Sequence, residues 1–82
     1  MKDEYTVRDV NVAAFLYMNK IELLRTSDEQ GLLIFVFDGF KQCKDILQEY
    51  YNGRAEGNIK QFVDCQRRMR ALIVEYKNLK AQ

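Results

Sequence analysis

The chain has 82 residues and a net charge of +1, and its composition is that of one small folded domain: 48% hydrophobic, 30% charged and no proline. Its longest apolar stretch is far too short to cross a bilayer, and its first residues lack a signal-peptide pattern, so we expect a soluble cytoplasmic protein. A domain of this size buries only about 60–65% of its unfolded surface, which leaves little stability unless disulfides, metal or oligomerisation add to it.

The first predicted element is a helix over residues 7–18. Thr6 and Asp9 are spaced like a capping box, although Asp9 stands where Glu or Gln is favoured. Apolar residues follow at helical spacing, and the small pair Ala13 and Ala14 lets another element approach closely. The pattern therefore predicts that the chain begins with a helix.

A β-hairpin is predicted next. Residues 20–26 alternate as a half-buried strand does, and residues 32–37 form an unbroken run of β-branched, aromatic and leucine side chains. The polar segment 27–31, which contains glycine, joins them as a turn. Because successive side chains of a strand point to opposite faces, the run 32–37 must be covered on both faces. The sequence offers only the upstream strand as its partner, so one edge is expected to stay unpaired.

A helix over residues 40–51 follows the hairpin, with Asp38 as its predicted N-cap. Its apolar residues form one continuous stripe: Phe40, Cys43, Ile46, Leu47, Tyr50 and Tyr51. The segment 52–57 contains two of the four glycines and is predicted to be a loop.

The last helix is predicted over residues 59–80, and Asn58 with Gln61 forms the capping box that opens it. Apolar residues repeat along it at spacings of three and four: Phe62, Cys65, Met69, Leu72, Tyr76 and Leu79. Three further apolar residues widen this face: Ile59, Val63 and Ile73. Two interpretations stay open, since the helix packs either on the chain's own sheet alone or also against a second copy.

The predicted order is helix, strand, strand, helix, helix, so the predicted fold class is α+β. Residues 1–82 are expected to form a single domain. It should be ordered from residue 5 or 6 to about residue 80 and frayed at its ends. The unpaired strand edge carries neither proline nor dense charge. A twofold homodimer that pairs two hairpins into one sheet would satisfy this edge and enlarge the core. The candidate interface residues are Leu33, Phe35, Phe37, Phe62, Met69 and Tyr76.

The residues do not indicate catalysis. Without histidine the chain has no Ser-His or Cys-His pair and lacks the usual acid–base group near neutral pH. Cys43 and Cys65 are predicted to be small buried hydrophobes, with a disulfide and redox or metal chemistry as the alternatives. Two cysteines without histidine leave a zinc site short of ligands. We therefore expect a non-enzymatic protein without metal or cofactor.

The charge is unevenly distributed, because residues 58–82 carry six basic and two acidic side chains. Nucleic-acid binding by the last helix is therefore an alternative function, although Asp64 is spaced to pair with Arg68 and the total charge is near zero. Two tyrosines beside an arginine add a surface on which single-stranded bases could stack. The candidate contacts are Tyr50, Tyr51, Arg54, Arg67, Arg68 and Arg70.

An interaction module is the function that the sequence favours. A small domain with a strand that is apolar on both faces (residues 32–37) and a last helix with a wide apolar face has apolar surface to bury against a partner. Self-association, binding to another protein, or both would use these features, and the expected partner is a second copy of the chain.

A set of short motifs also resembles a known family. The motifs are Val12-Ala13-Ala14-Phe15-Leu16, Leu23-Leu24, Gly31 with Phe35-Val36-Phe37, Tyr50-Tyr51-Asn52-Gly53, and Phe62 before an Arg- and Leu-rich helix. In order and spacing they are similar to short bacterial and phage proteins catalogued as a domain of unknown function, over about residues 5–73. The resemblance implies no catalytic residue, but it implies a bacterial or phage-encoded cytoplasmic protein, often found with mobile elements. The tail after residue 75 is longer and more basic than the family pattern.

Overall fold

The computed structural model describes residues 3–80 and has the predicted α+β fold. Its elements are strand β1 (Glu4–Val7), helix α1 (Val10–Met18), strands β2 (Leu23–Glu29) and β3 (Leu32–Asp38), and helices α2 (Phe40–Tyr51) and α3 (Ile59–Lys80). The strands form one antiparallel sheet in the order β1-β3-β2. The predicted fraying of the ends falls partly on residues 1–2 and 81–82, which lie outside the described residues.

Strand β1 is absent from the prediction made from sequence. It pairs with β3 so that Tyr5 is opposite Phe37 and Val7 is opposite Phe35. Aromatic and β-branched residues favour strands, but a strand of four residues is too short to show a period. Because β1 and β2 flank β3 on either side, the expectation of an unpaired edge on the apolar strand is wrong.

Helix α1 begins at Val10, three residues later than predicted. Its N-cap is Asp9, whose carboxylate accepts hydrogen bonds from the backbone N–H of Asn11 at 2.7 Å and of Val12 at 3.3 Å. The predicted capping box is wrong, because Thr6 lies in β1. Five successive residues of α1 are buried: Val12, Ala13, Ala14, Phe15 and Leu16. The helix packs mainly against α3 and also contacts α2 and β1.

The hairpin is confirmed, but its turn is shorter than predicted. Strand β2 continues to Glu29, which pairs with Leu32, so Gln30 and Gly31 alone form the turn. Both residues have positive φ, 52° and 87°, as a type I′ turn requires to match the twist of the strands. A polar strand end at residues 27–29 resembles a turn in sequence, which is why the prediction placed the turn too early.

Helices α2 and α3 have the predicted bounds. The N-cap of α2 is Gly39, with φ of 86°, and not Asp38, which ends β3. Helix α3 opens as predicted, because the Asn58 side-chain oxygen accepts a hydrogen bond from the backbone N–H of Gln61 at 3.0 Å. The α3 residues that pack on the domain's own core are Phe62, Cys65, Met69, Leu72 and Ile73.

Residues 34–37 of the apolar strand β3 are covered on both faces, as the sequence predicts, whereas Leu32 at the start of the predicted run is 60% exposed. Phe35 and Phe37 are 0% exposed and belong to the core that the three helices share with the sheet. Ile34 and Val36 point to the opposite, outer face, and lie outside that core cluster. They are nevertheless only 7% and 4% exposed. The second face is therefore covered within one chain.

Ion pairs between the two edge strands lie on this outer face. Arg25 of β2 is opposite Val36, and its two terminal nitrogens donate to the carboxylate of Glu4 in β1, each at 2.8 Å. Arg8, just after β1, pairs with Glu29 at the end of β2. Both pairs bridge from one side of β3 to the other. Since the aliphatic parts of such side chains cover apolar surface, we infer that they shield the outer face of β3.

We expect Arg25→Ala to lower the Tm modestly, because it removes both the bidentate ion pair and the aliphatic stem beside Val36. Arg25→Lys keeps an aliphatic stem and a charge but loses the bidentate geometry. Its Tm should therefore lie between the Tm of the wild type and that of Arg25→Ala. Circular dichroism melting measures this order. An unchanged Tm for Arg25→Ala would mean that other side chains cover Val36.

The C-terminal end of α3 is tied to the β2–β3 turn. The Asp28 carboxylate accepts hydrogen bonds from the Tyr76 hydroxyl and from the backbone N–H of Gly31, the latter at 3.0 Å. Lys80 Nζ lies 3.7 Å from Asp28 Oδ2 and 5.4 Å from the centre of the Tyr76 ring. The hydrogen bond between Tyr76 and Asp28 lowers the pKa of Asp28 and raises the pKa of Tyr76. Hydrogen bonding to Tyr76, followed by the charge of Asp28, raises the pKa of Lys80.

These pKa shifts predict how the contribution of this contact to stability depends on pH. Because the pKa of Asp28 lies below its ordinary value of 3.8, its contribution is complete above that pH and is lost as the pH falls through the lowered pKa. Because the pKa of Tyr76 lies above its ordinary value of 10.0, its contribution is complete below that pH and is lost as the pH rises through the raised pKa. The Tm difference between wild type and Tyr76→Phe should therefore be constant from about pH 5 to about pH 9 and shrink outside that range. A difference that is also constant in strong acid would contradict the assignment.

Candidate interaction surface

An apolar cleft of about 230 Å³ opens where α1 and α2 end and α3 begins. Five large apolar side chains line it: Phe15, Met18, Tyr50, Ile59 and Phe62. Phe15 is buried in the core, and its ring centre lies 5.2 Å from that of Tyr50. The cleft is therefore built on the packed core and does not depend on mobile surface side chains alone.

The α2–α3 loop passes close over Met18 and closes one side of the cleft. A Cβ added to Gly57 would lie 2.5 Å from the Met18 methyl carbon, which is too close for any contact. Glycine lets the backbone make this approach without displacing Met18.

Two large side chains in this region are mostly exposed, of which the first lines the cleft and the second lines a separate hollow on α2. Ile59, the first residue of α3, is 81% exposed, and Tyr51 is 68% exposed. The ring of Tyr51 stands edge-on to that of Tyr50, with 5.4 Å between their centres. An exposed aliphatic side chain beside an apolar hollow is typical of a surface that binds protein.

Charges of both signs surround this region. Glu56 lines the cleft, and Glu49 and Arg54 line the adjoining hollow. Lys60 follows Ile59 and pairs with Asp64, with 3.2 Å between Nζ and Oδ2. No single sign dominates, so an approaching copy of the same surface meets opposite as well as like charges.

The solvent side of α3 is different, because basic residues dominate it. Arg67 lies 4.0 Å from Asp64. Among residues 3–80, Arg70 and Lys77 take part in no ion pair. They are seven residues apart and therefore lie on the same side of the helix. Exposed Val74 lies between them.

The family assignment agrees with the motifs. A family model, the domain of unknown function DUF5659, matches residues 2–78. The chain belongs to the DUF5659 family. No curated protein and no solved structure gives a significant match. The DUF5659 match includes the cleft and the basic side of α3, so both surfaces lie inside the family's domain.

The predicted interface residues of this DUF5659 domain lie mainly in its core. Three of them are 0% exposed: Phe35, Phe37 and Met69. The other three are half-buried: Leu33, Phe62 and Tyr76. Of the six, Phe62 lines the cleft. The sequence singled out buried apolar residues, whereas the exposed Ile59 stands outside the seam of α3 and was named only as widening its face.

The predicted nucleic-acid contacts of the DUF5659 domain are not all gathered together. Tyr50 is half-buried against Phe15, which leaves less of its ring for stacking on a base. Tyr51 and Arg54 are exposed beside the cleft, whereas the exposed arginines of α3 begin about 12 Å further along the helix axis. Those arginines are Arg67, Arg68 and Arg70.

The predicted pairing of Asp64 with Arg68 is wrong. Asp64 pairs instead with Lys60 and Arg67. The Arg68 guanidinium lies over the ring of Tyr17 in α1, 5.4 Å from its centre, which is a cation–π contact. The tertiary contact with α1 thus competes with the local pair along the helix.

The two cysteines are free, and Cys43 is buried while Cys65 is half-buried against the core, as predicted. Burial is the main cause that raises the pKa of each thiol, so both stay protonated near neutral pH and are weak nucleophiles. Across residues 3–80, no three His, Cys, Asp or Glu side chains are placed to hold a metal ion. The helices described here also lack the combination of length and apolar character that crossing a membrane requires.

Proposed function

We propose that this DUF5659 domain is a non-enzymatic interaction module that acts by self-association, as a homodimer. The observation that supports this best is Ile59, which is 81% exposed beside an apolar cleft. Burying an aliphatic side chain of this size contributes about 1.5–3 kcal/mol. The protonated thiols and the lack of histidine support a function without catalysis. We also propose a bacterial or phage-encoded protein of the cytoplasm, where free cysteines persist.

The helical side of the domain suits self-association better than its sheet edges. β1 has only four residues, and β2 has an irregular register between Leu23 and Arg25 and several charged residues. Short, bulged and charged edges resist pairing with another strand. Pairing two sheets, as the sequence suggested, would have to use one of these two strands, whereas the cleft offers apolar surface directly.

Sedimentation equilibrium from micromolar to several hundred micromolar protein tests this proposal. We expect the average mass to rise with concentration towards twice the chain mass. A mass that stays at one chain over the whole range would refute the homodimer.

Nucleic-acid binding by α3 is a second candidate, and the specific support for it is that Arg70 and Lys77 have no acidic partner among the described residues. Titration of a labelled single-stranded oligonucleotide at several salt concentrations tests it. The double variant Arg70→Glu/Lys77→Glu should abolish salt-dependent binding. The matched control is Lys41→Glu/Lys44→Glu on α2, which changes the net charge equally. Equal losses in both variants, or no binding at low salt, would remove this candidate.

A further inference from the structure

We propose that two copies of the chain associate by reciprocal insertion, with Ile59 of each copy filling the apolar cleft of the other. This inference rests on the proposed self-association and names the surface that carries it. In a twofold dimer the same patch of both copies must be complementary to itself. The patch around the start of α3 meets this condition, because the mostly exposed side chain of Ile59 stands at the edge of the cleft that it helps to line. Each copy therefore carries the inserting side chain and the receiving cleft next to each other.

The cleft is large enough for the side chain. Its volume of about 230 Å³ exceeds that of an apolar cavity of about 150 Å³ that takes up benzene. Its walls are mainly apolar, with Glu56 and Asn58 as the polar lining residues, and an isoleucine side chain brings no polar group of its own into the cleft. Reciprocal insertion removes two copies of Ile59 from water at once.

Both halves of this contact are already held in place. Ile59 lies in the first turn of α3, next to the N-cap residue Asn58, which fixes the position of the helix end. The cleft walls include buried Phe15 and half-buried Phe62. Because the start of helix α3 and the cleft walls are in place before association, the conformational entropy lost when two copies meet is mainly that of the Ile59 side chain.

Electrostatics favours this surface over Val74, which, like Leu79, is another exposed apolar position of α3. Val74 is 55% exposed, but its neighbours on the helix surface include Arg67, Arg70 and Lys77. Two copies that met side by side along this part of α3 would bring like charges together, which costs free energy. Around Ile59, by contrast, acidic and basic side chains alternate, and Glu56 itself lines the cleft.

The test compares Ile59→Lys with Val74→Lys, which makes the same kind of change on the same helix. Sedimentation equilibrium should show that Ile59→Lys raises the dimer Kd by a factor of roughly ten or more. Val74→Lys should leave the Kd within about twofold, since its side chain stays in water. Both positions are exposed, and circular dichroism melting checks that both variants are folded.

The methionines give a direct readout at the cleft. Met18 lines it, whereas Met69 is 0% exposed in the core. With ¹³C-methyl methionine labelling, the NMR signal of the Met18 methyl should shift with protein concentration, and that of Met69 should not. The shift should disappear in Ile59→Lys. Assignment by Met18→Leu identifies the signal.

The outcomes separate the two proposals. A monomeric wild type would overturn both the homodimer and the insertion. A wild-type dimer that Ile59→Lys leaves intact would overturn the insertion alone, and the dimer would then use another surface. Loss of the dimer in Val74→Lys, whether or not Ile59→Lys also loses it, would overturn the insertion as well. Such a loss would indicate that two copies pair side by side along α3.

Discussion

Phe35→Asp is expected to leave the chain unfolded at 25 °C. Phe35 is 0% exposed in the central strand, between Val7 on one side and Thr26 on the other. An unpaired carboxylate at such a position costs several kcal/mol. The whole free energy of unfolding of a domain of this length is only about 4–12 kcal/mol. Far-UV circular dichroism should show the loss of helix and strand signal and no cooperative thermal transition.

Leu32→Asp is the matched control, because it places the same side chain in the same strand at a position that is 60% exposed. The new carboxylate would face Glu29 across the strand pair and should cost no more than about 1 kcal/mol. We expect a cooperative transition close to that of the wild type. Similar melting of both variants would show that burial of Phe35 does not hold the fold together.

The burial of β3 shows which parts of the fold can be predicted from the sequence. The unbroken apolar run predicts burial on both faces, and the structure confirms it for residues 34–37, with Ile34 and Val36 on the outer face and Phe35 on the inner. It is wrong for Leu32, which is exposed at the start of the strand. No second copy of the chain is needed to cover the outer face at these positions. Arg25 and Glu4 are 21 residues apart in sequence and meet only because β1 and β2 flank the same strand. Periodicity detects local patterns, and this pairing is not local.

The candidate site was harder to predict than the fold, because core and interface residues have the same apolar character in a sequence. The spacing along α3 correctly selects residues that pack inward, such as Met69 and Phe62. Whether Ile59 is covered depends on where α1 and α2 end relative to the start of α3, which is a tertiary fact. The one sequence signal was that Ile59 falls outside the three-and-four spacing of the seam.

Met69→Ala should produce the largest loss of stability among simple truncations in α3. Met69 is the one buried residue of this helix, at 0% exposed, and α3 packs mainly on α1. Truncating a buried methionine leaves a cavity and costs about 2–5 kcal/mol. For a domain of this size the Tm should fall by more than about 10 °C. Since Ile59 and Phe62 reach the cleft from the same helix, looser packing of α3 should also weaken self-association.

Val74→Ala is the control on the same helix, because Val74 is 55% exposed and its truncation should change the free energy of unfolding by no more than about 0.5 kcal/mol. Thermal melting at one low protein concentration separates the effect on folding from the effect on association. If Met69→Ala melted at the same temperature as Val74→Ala, neighbouring side chains would have to fill the cavity. The attachment of α3 to the rest of the domain would then depend on its half-buried residues and on the Asp28–Tyr76 contact near its C-terminal end. A drop of the expected size would place the main attachment of α3 at Met69, one helix turn beyond the Cys65 that packs on the same core.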